Sequence, residues 1–179
     1  KIKYVHLCFS TDPFMYEREQ VCDLSLKIID KLNANNIRCT VLTKGVFPSE
    51  LGNRNGFSNN NEYGITLVSL NEKFRRNFEP NSAKFEDRLD SLKYLHKKGF
   101  KTWISMEPYP TPNLIKQDLM ELLDAVSFVD KIVFGRLNCN VKSSEFKYSK
   151  EFYNSLASAV VKFCRKNRIA CHIKQGTQI

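Results

Sequence analysis

The chain has 179 residues, 42% hydrophobic and 26% charged, which predicts one globular domain over residues 1–179. No apolar stretch approaches the roughly 20 residues that span a bilayer, and no charged segment followed by an apolar one opens the chain, so we predict neither a membrane-spanning nor a secreted protein. The 28 lysines and arginines against 19 acids give a net charge of +9, which is compatible with an anionic partner such as nucleic acid and also fits lysine-rich helix faces that are simply solvated. These charges are spread along the chain, so the sequence alone does not place a binding patch.

Short strand-like runs alternate with helix-like runs along the chain. The predicted strands are Val5–Phe9, Arg38–Leu42, Gly64–Leu70, Phe100–Met106, Lys131–Phe134 and Arg168–Ile173. The predicted helices, from apolar residues at helical spacing, are Glu17–Asn33, Arg88–Lys98, Ile115–Val126 and Phe152–Asn167. Strands that begin 26 to 37 residues apart are typical of βα units, so we predict an α/β fold with a parallel sheet and outer helices. Two polar stretches, Gly45–Tyr63 and Leu137–Tyr148, are predicted as loops.

The six cysteines are not spaced like the ligands of a metal. They are Cys8, Cys22, Cys39, Cys139, Cys164 and Cys171, and no two of them form CxxC or CxxxC. Several lie in apolar runs, where a free cysteine behaves as a small hydrophobic residue. We therefore predict structural thiols, no metal ligands in this chain and a reducing, cytoplasmic location.

Polar side chains follow five of the predicted strands, at the edge where parallel α/β folds bind ligands. They include Ser10, Thr11 and Asp12 after the first strand, Thr43 and Lys44, Ser69, Ser105 and Glu107, and Arg136 and Asn138. Each one alone also fits an ordinary loop residue, Ser69 as a cap and Lys44 as a solvated lysine. Together they favour a zwitterionic ligand, with Lys44 facing a carboxylate and an acid facing an amine.

Four short motifs occur in a recognisable order. They are STDPF from Ser10, TKG at Thr43–Gly45, FEP at Phe78–Pro80 before Arg88, and ISMEP at Ile104–Pro108. In order and spacing the segment Tyr4–Asn138 resembles the radical S-adenosylmethionine (SAM) proteins related to spore photoproduct lyase, often labelled DNA repair photolyase-like.

The resemblance implies a partial TIM-like (β/α)6 barrel that binds S-adenosylmethionine and a 4Fe-4S cluster and generates a 5′-deoxyadenosyl radical. By family position, Ser10, Thr11 and Asp12 lie where the methionine amino group is bound. Lys44 matches a lysine that meets the carboxylate, and Ser69 lies on the strand that reaches the ribose and carboxylate. Glu107 and Asn138 fall on later strand ends that face cofactor or substrate, and the family suggests nucleic acid as substrate.

One departure from the family pattern is large. The family holds its cluster through a CxxxCxxC loop after its first strand, and this spacing does not occur here. We therefore expect the first strand and the cluster ligands upstream of Lys1, and a 179-residue chain that is catalytically inactive alone. A missing strand leaves an exposed parallel edge, which predicts a dimer or aggregate.

Two alternatives remain open from the sequence. A non-catalytic, basic α/β-barrel-like protein would use its +9 charge to hold nucleic acid, with salt-sensitive affinity and no cluster. A TIM-barrel enzyme would use Glu107 and Lys44 as an acid/base pair and would need no iron.

Overall fold

The computed structural model describes residues 2–8, 11–53, 56–138 and 140–178. Its strands are β1 (Tyr4–Leu7), β2 (Arg38–Thr43), β3 (Glu62–Thr66), β4 (Lys101–Tyr109), β5 (Lys131–Arg136) and β6 (Ala170–Ile173). Its helices are α1 (Glu19–Ala34), α2 (Glu72–Phe78), α3 (Phe85–Lys97), α4 (Leu119–Ala125), α5 (Val141–Ser144) and α6 (Ser149–Asn167), with a 3₁₀ helix at Ser49–Gly52. None of these helices is long and apolar enough to cross a membrane.

The six strands form one sheet in chain order, and each strand pairs in parallel with the next. This arrangement confirms the predicted α/β fold with six parallel strands. A further strand before β1, which the family pattern led us to expect, stays a prediction.

The outer face of the sheet packs against the helices and holds the hydrophobic core. Ile65, Ile104 and Ile132 lie on this face of three neighbouring strands and are fully buried. In α3 the apolar positions recur at helical spacing, and Leu92 and Leu95 are fully buried. Burying each side chain of this size stabilises the fold by about 2 kcal/mol. The core thus fixes the outer face and leaves the inner face for other contacts.

The sheet curls into a partial barrel, and its inner face lines a cavity. The rings of His6 in β1 and Trp103 in β4 have centroids 6.1 Å apart, although three strand spacings of about 4.8 Å separate these strands along the sheet. The cavity has a volume of about 610 Å³ and is lined by side chains from all six strands and by Cys8 and Lys174, which follow β1 and β6. Charged and polar side chains are part of this lining, in contrast to the hydrophobic core on the other face.

The structure corrects the predicted end of one strand and adds two short helices. Strand β3 ends at Thr66, so Ser69 lies three residues beyond the strand rather than at its end. The predicted loop 137–148 contains α5, and α2 was missed entirely. Both helices are short and begin with a capping asparagine: the side chain of Asn71 accepts a hydrogen bond from the backbone N–H of Phe74 at 2.9 Å. The apolar period that reveals longer helices does not develop in so few residues.

The open edges of the sheet predict self-association of this chain. Among the described residues, β1 pairs only with β2 and β6 only with β5. We expect light scattering after gel filtration to give at least twice the chain mass of 20.8 kDa, because unpaired strand edges template pairing with another copy. Replacing the edge residue Tyr4 with lysine should shift the protein towards monomer, whereas Tyr148→Lys, at another exposed tyrosine, should not. A monomeric wild-type chain would contradict the prediction.

Candidate functional site

Asp12 connects the loop after β1 to the end of β2 through hydrogen bonds. Its Oδ1 accepts hydrogen bonds from the backbone N–H of Phe14 at 2.9 Å and from the hydroxyl of Thr43 at 2.5 Å. Its Oδ2 accepts the backbone N–H of Lys44 at 2.7 Å. A carboxylate has about four acceptor positions, so Oδ2 retains one for a further donor. The structure therefore places a negative charge directly beside Lys44.

The turn at Lys44 and Gly45 is possible only with glycine. A Cβ atom on Gly45 would lie 1.7 Å from the carbonyl oxygen of Phe14, a backbone atom that has no room to move. The Gly45 N–H donates to the hydroxyl of Thr43 at 2.8 Å. The TKG motif thus lets the loop after β1 pack closely against the end of β2.

Lys44 is held by an ion pair that reaches into the core. Its Nζ lies 3.0 Å from Oε1 of Glu79, and 41% of its side chain is exposed. The other oxygen of Glu79 lies 3.0 Å from a guanidinium nitrogen of Arg88, whose side chain is 1% exposed. One carboxylate therefore links the exposed lysine to a fully buried arginine.

Arg88 makes three further hydrogen bonds, two to backbone carbonyl groups and one to a hydroxyl. It donates to the carbonyl oxygens of Ala83 at 2.8 Å and Thr66 at 2.9 Å, and to the hydroxyl of Ser82 at 2.5 Å. Burial lowers the pKa of Arg88, and Glu79 acts in the opposite direction. These bonds join α3 to the end of β3 and to the FEP segment, which explains structurally why that motif precedes an arginine.

Glu107 lies on the inner face near the carboxyl end of β4 and faces the cavity. Its Oε2 is 3.2 Å from Nζ of Lys174, which follows β6. Its side chain lies over Gly135, where a Cβ atom would approach to 2.8 Å. The Glu107–Pro108 peptide bond is cis. Lys174 was missed from the sequence, although it too follows the end of a strand.

A histidine and a cysteine form a pair at the end of β1. Nε2 of His6 lies 2.7 Å from Sγ of Cys8, and both side chains line the cavity. Burial, together with the charge of Lys131, lowers the pKa of His6. Burial and the charge of Asp12 raise the pKa of Cys8, while Lys174 opposes that shift. At neutral pH the pair is therefore a neutral imidazole and a protonated thiol.

Trp103 lies across the inner face towards the amino-terminal end of the cavity. Its ring covers Gly64, where a Cβ atom would lie 2.3 Å from the indole, and Nζ of Lys131 stands 4.9 Å from the ring centroid. Glu62 pairs with Lys131 at 3.2 Å and with Arg38 at 3.8 Å. The indole N–H is buried and has no acceptor among the described residues.

The structure brings together part of the predicted site. Asp12 and Lys44 are adjacent, and Glu107, near the carboxyl end of β4, lines the cavity. Thr11 is exposed on the loop before Asp12, and Asn138 is exposed beyond β5. The hydroxyl of Ser69 accepts the N–H of Asn71 at 3.1 Å in the turn before α2. Ser10 lies outside the described residues, as does Cys139, and the predicted roles of all these residues remain predictions.

The described residues do not fit an iron–sulfur cluster. They contain no group of three or more His, Cys, Asp or Glu side chains positioned to hold a metal ion. The five described cysteines are free thiols; Cys39 and Cys164 are buried at 0% and 1% exposure, whereas Cys171 is exposed. The pair of Asp12 and Lys44, by contrast, has the chemistry of a binding site for a zwitterion such as the methionine part of S-adenosylmethionine.

An acid/base pair of Glu107 and Lys44 does not find support here. Glu107 is paired with Lys174, and Lys44 is paired with Glu79. Each charge is therefore compensated by a different partner.

Comparison with known proteins identifies the class. The sequence profile of the radical SAM superfamily matches residues 1–126, and the chain belongs to this superfamily. Comparison with curated proteins gives no match.

The fold is similar to solved structures of spore photoproduct lyase. The complex of that enzyme with a dinucleoside spore photoproduct superposes with a TM-score of 0.68 at 13% identity, over 97% of this chain and 61% of that chain. A variant with bound AdoMet and the dinucleoside gives 0.66 at 12% identity, with the same coverage. A further variant gives 0.70 at 13% identity, again over 97% and 61%. This chain thus spans about three fifths of the length of spore photoproduct lyase, and at such identity the likeness concerns the fold.

The buried ion pair generates a stability prediction. Glu79→Gln should lower the free energy of unfolding by about 3 kcal/mol, because it leaves the buried guanidinium of Arg88 without a counter-charge. Glu145→Gln, at an exposed glutamate, should leave stability nearly unchanged. Urea unfolding followed by circular dichroism measures both. Equal stability of the two variants would mean that Glu79 does not compensate Arg88.

Proposed function

We propose that this chain is the barrel of a radical S-adenosylmethionine enzyme that acts on nucleic acid, and that it is inactive by itself. The observation that carries the proposal is the pair of Asp12 and Lys44 at the carboxyl edge of a curled parallel sheet, in a chain of the radical SAM superfamily. A zwitterion needs an anionic and a cationic partner close together, and the Asp12 carboxylate accepts the backbone N–H of Lys44 at 2.7 Å.

Each residue of the site has a role in binding. The ammonium of Lys44 meets the ligand carboxylate, while Glu79 holds the lysine in position. The open acceptor of Asp12, with the hydroxyls of Ser10 and Thr11, takes the amino group. Ser69 lies on the neighbouring loop for the ribose or carboxylate.

The cavity below this site would hold the reacting part of the substrate. Held by ligands outside these 179 residues, a 4Fe-4S cluster together with S-adenosylmethionine would supply the radical chemistry. Glu107 and Lys174 flank the mouth, and Asn138 lies on the loop after β5. The volume of about 610 Å³ lies within the usual range for small-ligand sites. Spore photoproduct lyase, which shares the fold, has been solved with a dinucleoside, and this supports a nucleotide as the reacting unit.

The cluster ligands belong, on this proposal, to sequence outside the 179 residues. The chain contains no CxxxCxxC, and its described residues offer no cluster site. The cytosol as its compartment is part of the same proposal, because the described cysteines are free thiols and clusters need reducing surroundings.

A second candidate is a non-catalytic protein that binds nucleic acid through its charge. The net charge of +9 and the missing cluster motif favour it. It differs from the first candidate in predicting no radical chemistry under any conditions.

The cluster assignment predicts that the full-length parent protein and the 179-residue chain differ in iron content and in release of 5′-deoxyadenosine. After anaerobic reconstitution with iron and sulfide, the full-length parent protein should contain a 4Fe-4S cluster and release 5′-deoxyadenosine with a reductant and S-adenosylmethionine. The 179-residue chain treated identically should retain no stoichiometric iron and should release no 5′-deoxyadenosine. Iron analysis and chromatography measure both. Absence of 5′-deoxyadenosine from a cluster-loaded parent would favour the binding candidate.

The assignment of Lys44 predicts a change in affinity for S-adenosylmethionine. In the reconstituted parent protein, Lys44→Met should weaken S-adenosylmethionine binding by roughly tenfold or more, because a charge-assisted contact is worth about 1.5–3 kcal/mol. Lys162→Met removes an exposed lysine from α6 and serves as the control. Calorimetric titration gives the dissociation constants. Equal affinities of the two variants would remove Lys44 from the site.

A further inference from the structure

The positive charge of the protein is distributed unevenly between the two ends of the barrel. The end that carries the Asp12–Lys44 site comprises residues 8–22, 43–52, 66–89, 107–121, 136–152 and 174–178. Within its described residues, thirteen basic side chains stand against thirteen acidic ones. The strongly positive charge of the chain therefore does not lie at the mouth of the cavity.

The opposite end is strongly basic. We define the amino-end surface as Lys3 with the described residues in 31–38, 53–62, 94–101, 122–131 and 164–170, which join helix ends and loops to the starts of the next strands. It carries ten basic side chains and three acidic ones, an excess of seven, against an excess of nine for the whole chain. Most of the net charge thus faces away from the reaction site.

Helix dipoles explain only part of this excess. Cations near a helix C-terminus are stabilised by the partial negative charge there, and Lys31, Lys97 and Lys166 are of this kind. Arg38, Lys101 and Lys131 instead begin strands, where the net dipole is small. Helix dipoles therefore do not account for the positive charge at the strand starts.

The ion pairs at this end leave the surface positive. Glu62 is shared between Arg38 and Lys131, so one acid meets two cations. Asp130 faces His96 at 3.7 Å, and its Oδ2 accepts the backbone N–H of Thr102 at 2.7 Å. The basic residues 97, 98, 101, 165, 166 and 168 are all exposed.

We propose that the amino-end surface binds the phosphodiester backbone of nucleic acid. The strand starts follow one another about 4.8 Å apart around the curled sheet, so this end of the barrel presents a continuous basic rim. Exposed arginines and lysines on such a rim fit the phosphates of a nucleic-acid backbone, and arginine also binds phosphate in two-point contacts. The proposal goes beyond the radical chemistry and does not depend on it.

Two sets of substitutions with the same charge change test the proposal. Lys97→Gln/Lys98→Gln/Lys101→Gln removes three charges from the amino-end surface. Lys142→Gln/Lys147→Gln/Lys150→Gln removes three exposed charges from the opposite end. Glutamine has nearly the helix propensity of lysine, and circular dichroism checks the folding of each variant. Arg165→Gln/Lys166→Gln provides a second, independent variant of the amino-end surface.

The affinity of each variant for a short mixed-sequence DNA duplex is measured by fluorescence anisotropy over a range of salt concentrations. The Lys97/Lys98/Lys101 variant should bind about tenfold more weakly at about 0.1 M salt and should flatten the dependence of log K on log salt by about 2 to 3. The arginine–lysine variant should flatten it by about 2, and the control triple by much less.

Three outcomes would overturn the proposal: no duplex binding by the wild-type chain, equal losses in both triples, or a larger loss in the control triple. Binding to phosphatidylserine vesicles but not to the duplex would assign the surface to a membrane instead. The measurement needs no cluster and no S-adenosylmethionine, so a negative result leaves the proposed radical chemistry intact.

Discussion

The organisation of the site depends on one buried charge, the guanidinium of Arg88. A buried ion without a counter-charge costs several kcal/mol, so its position dictates where Glu79 and the surrounding carbonyl groups must lie. The carboxylate of Glu79 in turn faces Lys44 at 3.0 Å, and Asp12 accepts the backbone N–H of the same lysine. The charges that we propose to bind the ligand are therefore positioned by the core of the protein.

The two faces of the sheet have different structural roles. The outer face is apolar and stabilises the fold, whereas the inner face carries His6, Trp103 and Glu107 around a cavity. Close packing within the cavity depends on glycines, because Trp103 lies directly over Gly64. The balanced charge at the mouth suits a zwitterionic cofactor, and the excess charge at the opposite end suits a polyanion. Cofactor binding and polyanion binding would then occupy different ends of one barrel.

Sequence patterns predicted the fold better than the contacts within the site. The alternation of strands and helices was visible because each unit repeats an apolar period, and Asp12 and Lys44 could be expected to lie side by side because they follow neighbouring strands. The end of β3 was misplaced because Leu67 and Val68 continue the apolar run but are buried in the loop beyond the strand. The contact of Glu79 with Arg88 had no local signal, since their meeting depends on how the connecting loop folds.

The central claim is that the Asp12–Lys44 pair receives the amino acid part of S-adenosylmethionine. The most direct test is a crystal structure of the cluster-loaded parent protein with S-adenosylmethionine bound. We predict the ligand carboxylate beside Nζ of Lys44 and the ligand amine within hydrogen-bond distance of Oδ2 of Asp12, with the hydrogen bond between Asp12 and the backbone of Lys44 retained. Density for the ligand away from both side chains would contradict the account.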